Sequence, residues 1–513
     1  MKGTKLATLA IAFGLAFSSI THASESKKAG LVEDPAIFAE LVAMLERDAA
    51  SQLEQHLRAE GVLRPVSVSI RLDLAERSLT INFGPGYLPG KYDSYGERFL
   101  YPMASSLRFY AEKSGLEVND IRFLFEGRTL EEYFPEDLAV PPKTKARPAH
   151  SDVLVSSSHG YIALYPGGEW EYQRPAPLGV QEDTLSPAYG DELEALIVER
   201  SGLAVHRARS RSAEIHPESG KPWEHMSSRY HLKALFPSRT DMWNEFPNSP
   251  KPNREVDEDV RARPNYANHL GVDAMLSLHT NGHVSPSIRG AEVFYHRSKP
   301  EDKALGDSIL CAMKEIVRAQ DGYEEFPIRT QATEGGHGEN RIGTMPSVII
   351  ETAYHSNAED VAALQDPVFR AASMKGVEKG YRLFREGKDC LPLKAEPIED
   401  IHLSAGGSKQ VDVVFEGYPQ YPIELITTNV GCPPGWTCSD GRVRIETPDA
   451  KPSQITLRCE NAGSAPILWD TRVVDDDGVK SPPVRHWVQC IRRPGDAVAR
   501  PGAPVGVEAA TAG

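Results

Sequence analysis

Four separated segments of the chain each end an apolar run on a residue able to hold a metal or move a proton. They are VLVSSSHG with His159, LGVQEDTL with Glu182, AMLSLHTNG with His279 and PSVIIETAYHSN with Glu351. Two imidazoles and a carboxylate form a donor set suited to one Zn²⁺ ion, with a coordination position left for water. A further carboxylate beside them can accept a proton from that water. The chemistry these residue types predict is metal-assisted hydrolysis. The chain has no Gly-x-Ser-x-Gly elbow, so a serine hydrolase is not indicated.

Positioning four such residues from distant stretches requires a scaffold, and three of the four follow a β-type run. Between about residues 150 and 390, strand signals (Val153–Ser156, Leu203–His206, Ala274–Leu278, Ala291–Tyr295, Ser347–Glu351) alternate with helical ones (Glu192–Arg200, Arg261–His269, Ala304–Arg318, Ala358–Leu364, Pro367–Glu386). This predicts an α/β domain at 151–390, with a mixed, mostly parallel sheet flanked by helices and its site at the strands' carboxyl ends. Residues 33–140 read as a small α+β domain: a long amphipathic helix, two alternating strands, a helix and a third strand. That last strand, IRFLFEGRTL, resembles the one that closes GerMN-like accessory modules. A Pro- and Lys-rich stretch, 141–150, reads as a linker. From 396 to 492 helix signals vanish and short alternating strands recur, which predicts an all-β sandwich of immunoglobulin-like type. The tail 493–513 is Ala-, Gly- and Pro-rich and is expected to be disordered.

Lys2 and Lys5 precede an apolar run, Leu6–Ile20, that is short for a bilayer span, and Thr21-His22-Ala23 offers a cleavage site. Residues 1–23 therefore read as a signal peptide. The mature chain, with no later span, is expected to be secreted, in the periplasm. A net charge of −15 argues against nucleic acid as the partner. Six cysteines in an exported chain predict disulfides, for which the expected pairing is Cys311–Cys390, Cys432–Cys438 and Cys459–Cys490.

Taken in order, SSSHG, QEDTL, SLHTN and IIETAYHSN resemble the zinc-dependent N-acetylmuramoyl-L-alanine amidases of the open α/β type, which cut peptidoglycan. RARPNYANHLGVDAMLSLHTN and SIRGAEVFYH extend the likeness over roughly residues 150–386. The resemblance implies His159, Glu182 and His279 as ligands of one zinc ion, Glu351 as general base, and peptidoglycan or muropeptides as substrate. Asn281 and Asn357 are then candidates for fixing the site from behind, and His337 and Arg341 for touching substrate. The flanking domains would serve for positioning or for a regulatory protein. Departures from the family pattern are also plain. Ser156, Ser157 and Ser158 stand where an Asp-x-Gly is usual, and GGEWEYQRP lengthens the interval before Glu182, so that Glu169 and Glu171 compete for the ligand role. Pro187 and Gly190 predict a kinked or delayed helix start. An insertion at about 210–258 could be a lid, a plug or a surface excursion. These departures motivate one other reading, an exported zinc hydrolase of another peptide or amide; the further alternative is an inactive wall-binding or regulatory protein, against which the metal ligands and Glu351 argue.

Overall fold

The computed structural model describes residues 35–59, 62, 64–88, 96–138, 152–450, 453–492 and 505–506. The expected signal peptide at 1–23, the expected linker at 141–150 and all of the tail 493–513 except Val505–Gly506 lie outside those residues. Val505–Gly506 pairs in parallel with Cys438–Ser439.

The amino-terminal unit is built on helix α1 (Pro35–Ala59), whose Leu45, Ala49, Leu53 and Leu57 fall on one face at helical spacing and are buried. That face packs on a sheet of β1 (Val68–Asp73), β2 (Ser78–Phe83) and β3 (Asp120–Phe125), with β1 antiparallel and β3 parallel to the central β2. Helix α2 (Tyr101–Lys113) links β2 to β3, and a short turn, α3 (Leu130–Tyr133), closes the unit under a Thr129–Glu132 capping box.

The central unit carries a six-stranded sheet. Its strands are β4 (Asp152–Ser157), β7 (Ala204–Arg207), β8 (Ala274–Asn281), β9 (Glu292–Tyr295), β10 (Thr333–Glu334) and β11 (Ser347–Tyr354), in the order β10-β9-β11-β8-β4-β7. A small hairpin, β5 (Tyr161–Ala163) and β6 (Trp170–Tyr172), stands apart. The pairs β4–β7, β4–β8 and β8–β11 are parallel, and β9 runs antiparallel to β11. From β4 the chain moves outward to β7, then returns to the other side of β4 to lay down β8. Strand direction of travel thus reverses between β4 and β8, and the crevice beyond their carboxyl ends is where open α/β sheets hold ligands.

Alternation sorts the side chains of these strands. Val153, Val155, Leu276, Leu278, Val348 and Ile350 are buried toward α4 (Glu182–Leu196), α8 (Pro300–Val317), α10 (Ala358–Gln365) and α11 (Pro367–Arg385). On the other face, Leu154 and Met275 pack with Leu232 of α5 (Ser228–Leu235), Met242 of α6 (Thr240–Trp243) and Ala262, Tyr266 and Ala267 of α7 (Arg254–Leu270). The short α9 (Gly338–Ile342) sits between α7 and β11. The residues at about 210–258 therefore supply much of one covering layer, with Met226, Leu232 and Met242 fully buried.

Helix α4 departs from expectation. It starts at Glu182 without delay and runs through Pro187. Proline cannot donate to the carbonyl four residues back, that of Asp183. Arg209 donates to that oxygen instead, at 2.8 Å. Gly190 lets the helix press on β4: a Cβ there would lie 2.5 Å from Ser157 Oγ and 2.3 Å from Arg207 Nη2.

The carboxyl-terminal region is β-rich. Five strands order as 401–404, 484–491, 467–474, 423–431 and 441–445, and a separate antiparallel pair joins 407–412 to 454–459. The disulfide Cys459–Cys490 ties that pair to the larger sheet, Cys432–Cys438 closes a short loop, and Cys311–Cys390 binds α8 to the segment after α11. All three expected pairings form.

Candidate metal centre and its surroundings

His159 follows β4, Glu182 opens α4, and His279 lies near the end of β8. Their donor atoms all lie within 4.8 Å of one another, the sole such group of His, Cys, Asp or Glu among the described residues. Glu182 Oε1 is 3.5 Å from His159 Nε2 and 3.4 Å from His279 Nδ1. The two rings stand nearly perpendicular with centroids 4.8 Å apart, and all three residues are buried. Burial, reinforced by Arg174, holds the His159 imidazole well below its usual pKa, so the ring is neutral and can donate a lone pair. Burial alone would push Glu182 up, but the adjacent His279, together with His355 and Arg174, keeps the carboxyl below its ordinary range. Two imidazole nitrogens and a carboxylate oxygen at this spacing fit a zinc ion.

The competing carboxylates fall away. Glu169 and Glu171 are both exposed, on or beside the β5–β6 hairpin. Glu182 is fixed by its surroundings: its Oε1 accepts from Ser158 Oγ at 2.9 Å and from the Thr280 amide at 2.9 Å. Ser158, one of the three serines that depart from the family pattern, thus holds a site carboxylate. The next residue, Asp183, accepts from the amides of Gly160, Gln173 and Arg174 and so shapes the turn after His159. Gly160 has φ of +119°, and a Cβ there would meet Ser227 Cα at 2.6 Å.

Glu351 pairs in register with His279 on the adjacent parallel strand, so both side chains leave the same face of the sheet. It is buried. On its other side lies Glu292, whose Oε1 accepts from Asn281 Nδ2 at 2.9 Å and Tyr354 OH at 2.6 Å, and whose Oε2 pairs with Arg108 of α2 at 2.7 Å. Asn281 therefore braces the wall beside Glu351. Asn357 is placed structurally: its side chain caps α10 through the amides of Glu359 and Asp360 and donates to Pro286 O at 2.6 Å. His337 packs its ring 3.8 Å from that of Tyr101 on α2. Arg341 is buried in α9.

Residues 231–381 match the family model described as N-acetylmuramoyl-L-alanine amidase. This stretch is similar to an amidase domain. It holds His279 and Glu351, whereas His159 and Glu182 precede the matched residues and are brought to His279 by the fold. The chain is 27% identical over 123 residues to N-acetylmuramoyl-L-alanine amidase LytC of Bacillus subtilis (strain 168), a stretch that is 24% of this chain and 23% of that relative. The match thus spans under a quarter of the relative's length. Among solved structures, the CwlD amidase of Clostridioides difficile, in complex with the GerS lipoprotein, aligns at 17% identity over 47% of this chain and 100% of that one, with a TM-score of 0.32. The catalytic domain of the amidase CwlV from Bacillus (Paenibacillus) polymyxa var. colistinus aligns at 17% identity over 46% of this chain and 99% of that one, with a TM-score of 0.31.

Several residues around the candidate metal centre escape a reading of the sequence. Glu339 lies 3.1 Å from His279 Nε2, and the buried guanidinium of Arg263 on α7 meets its other oxygen. Arg209 donates to the carbonyls of both Ser158 and Asp183. The only sequence signal for Glu339 is an acidic residue in the Gly-rich EGGHGEN just ahead of the Glu351 strand.

Proposed function

We propose that this protein is a zinc-dependent N-acetylmuramoyl-L-alanine amidase that hydrolyses the amide between the lactyl group of peptidoglycan and the first amino acid of its peptide. The observation that carries the proposal is the convergence of His159, Glu182 and His279 on one small volume, with Glu351 in register beside His279. The family match across 231–381 and the likeness to LytC support the substrate class.

His159 Nε2, Glu182 Oε1 and His279 Nδ1 would hold the ion. Zinc, when bound there, supplies Lewis acidity to a water and to the amide carbonyl. Glu351 takes the proton from the attacking water and returns it to the departing amine nitrogen. Ser158 and the Thr280 amide keep Glu182 oriented, and Asn281 steadies Glu292 beside the base. His337 and Arg341 stand on the loop and short helix preceding β11, where they would shape the substrate side of the site. The leader at 1–23 would export the chain to the periplasm. No helix among the described residues is long and apolar enough to cross a membrane. The amino-terminal unit, as a GerMN-like module, and the carboxyl-terminal one, as an immunoglobulin-like sandwich, would position the enzyme on the wall or receive a regulatory protein.

The test is digestion of intact sacculi by the purified chain with and without a chelator. Release of peptides with a free amino-terminal alanine, stopped by chelation and restored by zinc, is expected. Intact sacculi in the presence of zinc would overturn the assignment.

A further inference from the structure

His279 faces two carboxylates with its two ring nitrogens. Nδ1 lies 3.4 Å from Glu182 Oε1, on the side of His159. Nε2 lies 3.1 Å from Glu339 Oε2. The nitrogens of an imidazole point away from each other, so Glu339 addresses the edge of the ring turned from the donor cluster. Consistently, Glu339 is not among the residues whose donor atoms group together.

Glu339 is itself held. It is 2% exposed, on α9, and its Oε1 meets Arg263 Nη1. Arg263 is fully buried and tied back to Asp259, by Nε to its carbonyl at 3.2 Å and Nη2 to its carboxylate at 3.5 Å. A chain of charge therefore runs from Asp259 and Arg263 on α7 through Glu339 to His279. His159 has no counterpart: its Nδ1 is buried and has no hydrogen-bond partner among the described residues.

We infer that Glu339 is the positioning residue of the metal centre, accepting the Nε2–H of His279 and thereby fixing the tautomer that turns the Nδ1 lone pair toward Glu182 and His159. A neutral imidazole carries one N–H, and a carboxylate at Nε2 assigns it there. It also stops rotation of the ring and raises the basicity of the free nitrogen. Arg263 keeps the carboxylate aimed. The inference deepens the proposed function and rests on its metal site.

The experiment titrates zinc into the full chain by competition with a chromophoric chelator. It compares wild type with Glu339→Ala, Glu339→Gln, Glu339→Asp and His159→Ala, and measures kcat and KM on muropeptides at saturating zinc. Glu339→Ala is expected to weaken zinc binding by roughly 10–100-fold. Glu339→Gln can accept the N–H but lacks the charge, and should fall between Ala and wild type. Glu339→Asp should recover part of the loss. The kcat should drop with KM little changed. If Glu339→Ala does not fold, the near-isosteric Gln variant carries the test. Zinc affinity within twofold of wild type in folded Ala or Gln variants would overturn the inference, as would faster turnover in either, which would mark Glu339 as an obstruction. Wild type that binds no zinc would overturn this inference and the metal site together. Wild type that binds zinc through His159 yet ignores Glu339 would overturn this inference alone.

Discussion

At the scale of single residues, the proposed chemistry divides between three groups that would hold a metal and one that would move a proton. Glu351→Gln keeps the side-chain volume and removes the proposed base. It is expected to retain zinc at wild-type affinity and to lose about 10²–10⁴-fold in turnover on muropeptides. His159→Ala or His279→Ala should instead lower zinc content, read by metal analysis of the purified chain. The grouping of His159, Glu182 and His279, with Glu351 in register beside it, was legible because each ends an apolar run on a strand or begins a helix, where side chains of an α/β sheet converge. Ser158 was legible only as a departure from a motif; its hydroxyl now explains why a small polar residue stands there. Glu339 and Arg263 were not legible. Their bond to each other spans 76 positions and the bond of Glu339 to His279 spans 60, and no local pattern encodes either.

At the scale of elements, α4 shows how residues that disfavour a helix can still be required in one. Pro187 frees the Asp183 carbonyl, and Arg209 uses that oxygen to anchor the turn around His159. Gly190 gives the same helix its close approach to β4. Gly190→Ala would drive a methyl group into Ser157 and Arg207 and should cost about 1–3 kcal/mol, seen as a lower melting temperature. The expectation of a delayed helix start followed from propensity alone, and tertiary contacts override it. Strand positions were easier to read, since alternation and β-branched runs mark Val153–Val155, Leu276–Leu278 and Val348–Ile350 directly. The disulfide Cys311–Cys390 closes a sequence separation of 79, and replacing both cysteines by serine should cost up to roughly 4 kcal/mol through the unfolded chain.

At the scale of the whole molecule, both flanking units grip the central one through buried charge. Asp477 of the carboxyl-terminal region pairs with Arg200 at 2.8 Å and Lys375 at 3.0 Å. The amino-terminal unit sends Arg108 to Glu292 and lays β3 beside β10, where the Glu334 amide donates to Asn119 O at 3.1 Å. Arg108→Met would leave Glu292 charged and buried and should destabilise by about 3–5 kcal/mol, visible in thermal melts. At the same junction burial, with Asp120 and Glu131 nearby, pushes the Glu334 carboxyl up to about 7 despite Arg297. A carboxyl raised on folding contributes stability at low pH that is lost as pH rises through the folded value. Wild type should therefore lose more stability than Glu334→Gln between about pH 5 and about pH 8, compared by melting. These ion pairs were not legible in the sequence, because each joins residues from separate units.

The most direct measurement of the central claim is zinc content paired with product analysis on intact sacculi. The account predicts one zinc per chain, lost in His159→Ala, and peptides released with a free amino-terminal alanine only while zinc is bound. Wall cleavage that persists at full rate in a zinc-free chain, or a zinc-loaded chain that leaves the lactyl amide intact, would contradict it.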